Sequence, residues 1–156
     1  TGVLYTIPSI SFFFLLLPIT GRGTLTAIVA LTAFNLQIIF RNVTNGLRNV
    51  PAGVTEAAVG IGMTERQTLW RVEVPLAMPE IIAGLRIATV STVALATLAV
   101  FANGGGLGTE IVSGSNITFK TGIIVAGSIA VIMAILFDGL LLLAGKLFSP
   151  WKRVAG

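Results

Sequence analysis

The sequence predicts an all-α, polytopic bundle of membrane-spanning helices, and three observations predict it. Hydrophobic residues make up 54% of the 156 and charged residues only 10%, a balance outside that of soluble globular domains. The apolar residues fall in long runs, and each run approaches the ~20 residues that a hydrocarbon core of ~30 Å asks of a spanning helix. The basic residues gather in alternate connectors, the charge asymmetry of a chain threaded through a bilayer.

Four runs approach that length, at about 3–19, 25–40, 81–102 and 122–147. In the first, Pro8 and Pro18 would kink the helix or leave carbonyls unpaired, which membranes tolerate when neighbouring helices satisfy the freed groups. That span is therefore expected to be buried among others. Thr1 already lies in apolar sequence, and the stretch is too long and too Pro-punctuated for a signal peptide, so the natural chain is expected to begin earlier. Read inside to outside, this span puts 20–24 outside, 41–80 inside, 103–121 outside and the C-terminus inside. Arg41, Arg48, Arg66, Arg71, Arg86, Lys146, Lys152 and Arg153 then fall on the inner side, against Arg22 and Lys120 outside. Lys and Arg accumulate on the cytoplasmic side, so the orientation is the favoured one. Trp151 beside Lys152 and Arg153 suits an interfacial anchor.

The third run carries Gly84, Ala88, Thr92 and Ala96 every four residues, and the fourth repeats the pattern with Gly122, Ala126, Ala130 and Ala134. Such stripes let helix backbones approach where lipid offers no hydrophobic driving force. They are candidates for packing within the subunit, for a subunit interface or for lining a pathway. Two ionisable residues sit in apolar surroundings. Arg86 is close enough to the inner interface to snorkel, and Asp138 is a candidate for an interhelical contact or for the pathway.

Absent residues narrow the chemistry. There is no cysteine and no histidine, which removes thiolate nucleophiles, His-based acid/base catalysis and nearly all zinc or haem sites. The net charge of +4 is accounted for by the inner connectors, so no nucleic-acid partner is expected. Gly104, Gly105, Gly106 and Gly108 do not follow a strand in a βαβ unit and read as a flexible outer turn or short re-entrant loop. No G-x-x-x-x-G-K-S/T run occurs, so the chain lacks the usual ATP cradle. Glu56 and Glu65 fall on separate helices with no partner base, which argues against paired acid/base work. Tyr5, Phe34, Trp70 and the aromatic run 12–14 have the composition of a cage for a quaternary ammonium, but are expected to pack or to face lipid.

The connector 41–80 carries the most information. Pro51 suits the first turn of a helix, and Val54, Ala57, Ala58 and Ile61 then fall at i, i+3, i+4 and i+7, an amphipathic stripe. Gly62 is placed to end that helix in the left-handed conformation. Thr64 with Gln67 has the form of a capping box that starts a second short helix, and Pro75 is expected to limit its length. A helix, a glycine turn and another helix at the inner face can dock on the membrane-embedded part or in a groove on a cytoplasmic partner.

The run Glu56-Ala57-Ala58, three residues on Gly62, nine further residues and then Val72-Glu73-Val74-Pro75 closely resembles the EAA motif of ABC importer permeases, with Val72 and Val74 where Ile and Leu are usual. The segments YTIPSISFFFLLLPITGRGTLTAIVALTAFNLQIIFRNVTNGLRNV, AGLRIATVSTVALATLA and NGGGLG extend the resemblance to the permeases of glycine betaine, choline and carnitine importers over nearly the whole chain. Phe101-Ala102-Asn103 departs from the usual start of the glycine-rich block.

The resemblance implies a type I importer permease of five spanning helices, with the first helix lying before Thr1 and coupling helices in the cytoplasm. It implies a bacterial inner-membrane location with the C-terminus cytoplasmic, and alternating access driven from outside the chain. ATP and magnesium would belong to two separate ATPase subunits, with no cofactor in this chain. A second permease subunit, identical or paralogous, and an extracytoplasmic substrate-binding protein complete the set. Glu56, Ala57, Ala58, Gly62, Met63, Thr64 and Pro75 are the expected coupling residues. Gly84, Ala88, Thr92, Ala96 and Asp138 are the packing or pathway candidates. An ion-coupled transporter or channel, or an assembly factor, would need no ATPase, and co-purification separates these from an importer.

Overall fold

A computed structural model describes residues 9–117 and 120–148, and among them there is no strand. Helix α1 (Ser9–Thr20) and α2 (Thr24–Arg48) are followed by α3 (Ala52–Gly60) and the short α4 (Glu65–Thr68). A π-helical turn (Leu69–Glu73) leads into α5 (Val74–Leu98), which closes in a 3-10 turn (Ala99–Ala102); α6 (Leu107–Asn116) and α7 (Lys120–Phe148) complete the order. Among the described residues three helical stretches are long and apolar enough to cross a membrane: Thr24–Arg48, Glu65–Ala102 and Lys120–Lys146. Ser9–Thr20 is apolar but shorter. Tyr5, Pro8, Trp151, Lys152 and Arg153, with the first residues of the 3–19 run, lie outside the described residues.

Several expectations need correcting. Helix α2 continues to Arg48, past the apolar run that ends at 40. Thr44, Asn45 and Gly46 carry no helix-breaking geometry, and backbone hydrogen bonding outlasts the apolar surface. Pro75 does not end the second short helix, because α4, the π turn and α5 are continuous from Glu65. The Val74 amide donates to Leu69, five residues back, and this widened turn seats a proline ring that would otherwise strike the carbonyl four residues back. The connector 103–121, expected to be a flexible turn or re-entrant loop, also contains a helix: Gly104–Gly106 make the turn, but Gly108 is already inside α6. Pro51 is the N-cap residue of α3 and not part of its first turn.

The chain forms two compact units. One gathers Thr1–Gln37 with Ala88–Asp138, the other Ile38–Ile87 with Gly139–Gly156. The core of the first is Phe13, fully buried, against Ala27, Ala30, Ala99 and Ala102. One large ring among four alanines lets α1, α2 and the end of α5 approach closely. Phe12 meets Phe34 edge to face at 5.1 Å and 74°, a favourable aromatic geometry. The Gly23 amide donates to the Ala102 carbonyl at 2.8 Å, tying the α1–α2 turn to the 3-10 turn. Thr26, fully buried, donates its hydroxyl to the Gly21 carbonyl and lies 2.6 Å from the Thr20 hydroxyl, so its polar atom is satisfied inside the apolar core.

Candidate functional site

The segment from Pro51 to Pro75 lies in the second unit, and its geometry follows from local chemistry. Helix α3 starts at Ala52 without a side-chain cap. It ends at Gly62, whose φ of 86° is strained for any residue with a Cβ. The Gly62 amide donates to Val59 at 2.9 Å and the Met63 amide to Ala58 at 3.1 Å, the paired bonds of a Schellman ending. Two residues on, the Thr64 amide donates to Gln67 Oε1 at 2.9 Å, and the Gln67 amide donates to Thr64 Oγ1 at 3.4 Å. This reciprocal box opens α4. The left-handed turn and the capping box that the sequence predicts are therefore adjacent and leave one residue, Met63, between them.

The stripe on α3 has one anchor. Ala58 is 5% exposed, whereas Val54 is 39%, Val59 55% and Ile61 76% exposed. Ile61 is the C-cap residue, one position beyond the helix. Glu56, Ala57, Gly62 and Thr64 are exposed, and Met63 and Pro75 are half-buried. The inner side of α3 thus rests on the chain at a single alanine, and the remaining apolar and acidic surface is open.

The sequence expects Trp70 to pack or to face lipid, and it does not single out Thr68. Trp70, on the π turn, is 63% exposed, beside the exposed Arg66 and Arg71. Thr68 is 2% exposed, and its hydroxyl oxygen has no hydrogen-bond partner. The only signal for the π turn is the pair Pro75 and Pro79, each of which removes a donor from the α5 ladder.

The small-residue stripe of α5 is mostly inward. Gly84 and Ala88 are buried, and Thr92 and Ala96 are half-buried. Thr92 returns its hydroxyl to the Ala88 carbonyl at 2.7 Å, which keeps a polar side chain satisfied on an apolar helix. Ala126 of α7 is 3% exposed, with Gly122, Ala130 and Ala134 half-buried. Asp138 is half-buried as well. No group of three or more metal-ligating side chains occurs among the described residues.

Residues 1–154 match the family of binding-protein-dependent transport system inner membrane components. The chain is similar to the carnitine transport permease protein OpuCD of Listeria monocytogenes, 39% identical over 153 residues that span 97% of this chain and 69% of that protein. It is similar also to the choline transport system permease protein OpuBB of Bacillus subtilis, 38% identical over 150 residues, 96% of this chain and 69% of that protein. Among solved structures it shares the fold of the inward-facing MetNI methionine ABC transporter, with a TM-score of 0.77 at 24% identity, covering 96% of this chain and 70% of the other.

Proposed function

The chain belongs to the family of binding-protein-dependent transport system inner membrane components and is a multi-pass membrane protein, and from that premise we propose that it forms the translocation path of an ATP-driven importer of quaternary amines. Carnitine, choline and glycine betaine are the solutes we assign to it. The similarity to permeases named for carnitine and choline supports that class.

Hydrolysis belongs to a separate pair of ATPase subunits, since the chain has no phosphate-binding loop. Two permease subunits enclose the path, an extracytoplasmic binding protein delivers the solute, and the C-terminus is cytoplasmic. Transport proceeds by alternating access. ATP drives it only if the ATPase contact differs in free energy between the two states, because equal affinity for both would shift nothing.

The observation that carries this reading is the coupling segment: a helix ended by Gly62, restarted by Thr64 and Gln67, and left open along Glu56, Ala57, Val59 and Ile61. Those exposed residues fit an amphipathic helix that enters a groove on a partner. Glu56, Ala57, Gly62, Met63 and Thr64 form the docking surface; Ala58, expected among them, is buried and instead seats α3 on the rest of the chain, and Pro75 sets where α5 leaves it.

Affinity capture of the full protein from its native membrane tests the reading. A P-loop ATPase should come down with it, and vesicles holding the complex should take up labelled glycine betaine, choline or carnitine only with ATP inside. Uptake driven by an ion gradient with no ATPase bound would overturn it in favour of a secondary transporter.

A further inference from the structure

Three glycines in the unit that holds the coupling segment sit where helices meet, and all three meetings fall on one short stretch of α5. A Cβ built on Gly46 of α2 would lie 2.9 Å from Glu80 Cβ, 3.2 Å from the Ala77 carbonyl oxygen and 3.3 Å from Ala77 Cβ. One on Gly84 of α5 would overlap Asn42 Cβ of α2 and stand 2.8 Å from its Cγ. One on Gly145 of α7 would lie 3.0 Å from Ile82 Cγ2. By contrast, Gly53 and Gly60 of α3 and Gly139 of α7 have nothing within 4 Å.

The first two contacts leave little room for adjustment. Ala77 is 1% exposed, and Asn42 is held to its own helix by a 2.8 Å bond from Nδ2 to the Ile38 carbonyl. Its amide cannot swing off Gly84 without losing that bond. With the Gly46 backbone set against Ala77 and Glu80 and the Gly84 backbone against the Asn42 side chain, the two helices cannot slide past each other without opening voids or clashes.

The π turn gives this collar its purpose. It lies between α4 and Ala77, where the regular α-helical hydrogen-bond ladder is interrupted. A displacement of α3 and α4 would be absorbed there if the stem of α5 beyond it were loose.

We propose that Gly46 and Gly84, with Asn42, Ala77 and Glu80, are positioning residues that lock α2 to α5 just beyond the π turn, so that movement of the coupling segment displaces both helices together. This rests on the function proposed above.

The test uses the complete importer in vesicles and reads solute taken up per ATP hydrolysed, with labelled glycine betaine, choline and carnitine as probes. Gly84→Ala should still capture the ATPase but lose about tenfold in that ratio, within the range of typical coupling free energies. Asn42→Gly combined with Gly84→Ala restores the space and should recover most of the ratio, while Gly139→Ala should leave it unchanged. Gly46→Ala should behave as Gly84→Ala does. An unaltered ratio in both alanine variants overturns the proposal. So does a double variant that recovers nothing, including the case in which Gly84→Ala fails to reach the membrane. If the unsubstituted protein neither captures an ATPase nor transports, the proposed function itself has failed and the positioning role falls with it, an outcome distinct from the others.

Discussion

The Met63 amide donates to the Ala58 carbonyl across 3.1 Å, and that bond closes over Gly62, the residue with φ of 86°. The buried anchor of α3 is thereby joined to the residue just before Thr64, the cap of the next helix. The direction in which α3 and α4 leave the turn follows from this backbone geometry together with the Thr64–Gln67 box.

Replacing Gly62 by valine forces a β-branched residue into left-handed backbone, at a cost of about 1–2 kcal/mol. The expected outcome is a protein that reaches the membrane and captures its ATPase while hydrolysis no longer drives uptake. Parallel measurement of ATP turnover and solute accumulation checks it, and full coupling in the Gly62→Val protein would reject the role given to this turn.

Thr64→Ala removes an acceptor that the Gln67 amide uses at 3.4 Å and leaves the first turn of α4 uncapped, a loss of ~0.5–2 kcal/mol. Faster amide exchange confined to 64–68 is expected, together with weakened coupling. Thr64→Ser keeps the acceptor and should restore the slow exchange.

A side chain on Gly108 has no space. Its Cβ would fall against the Thr97 carbonyl, 2.7 Å from the carbon and 3.0 Å from Thr97 Cα, and this backbone cannot rotate away as a flexible side chain would. Gly108→Ala should displace α6 and lower stability by about 1–3 kcal/mol, as overpacking does. Thermal unfolding in detergent reads the effect, with Gly127→Ala, where nothing lies within 4 Å, expected to unfold as the unsubstituted protein does.

Thr26→Val keeps the shape of a fully buried side chain but removes the hydroxyl that Thr20 and the Gly21 carbonyl share. Loss of a satisfied hydrogen bond costs about 0.5–1.5 kcal/mol, and the Gly21 carbonyl is left short of a donor. Lower unfolding temperature with unchanged helix content is expected, whereas an unchanged unfolding temperature would mean that water replaces the hydroxyl.

Legibility followed the range of the interaction. Gly62, Thr64 and Gln67 were readable because an αL ending and a capping box are decided within a few residues of chain. Hydropathy located the long helices 24–48 and 120–148, though not their ends, because a helix keeps its hydrogen bonds beyond the apolar surface that reveals it. Pro75 misled for a related reason: a proline forbids a regular α turn, and the chain answered with a wider one rather than with a break. Of the aromatics expected to pack or to face lipid, Phe12 and Phe34 pack against each other.

Composition and period alone fixed that this chain is helical, lies in a membrane and carries a helix–turn–helix at one connector, since each of those depends on solvent transfer or on neighbours along the chain. The stripe Gly84, Ala88, Thr92, Ala96 marked a face of α5 but named no partner for it. That Gly84 faces Asn42, that Gly46 faces Glu80 and that Gly108 faces Thr97 was decided only on folding. Close packing joins residues by shape across separate helices, and no local pattern records which shapes will meet.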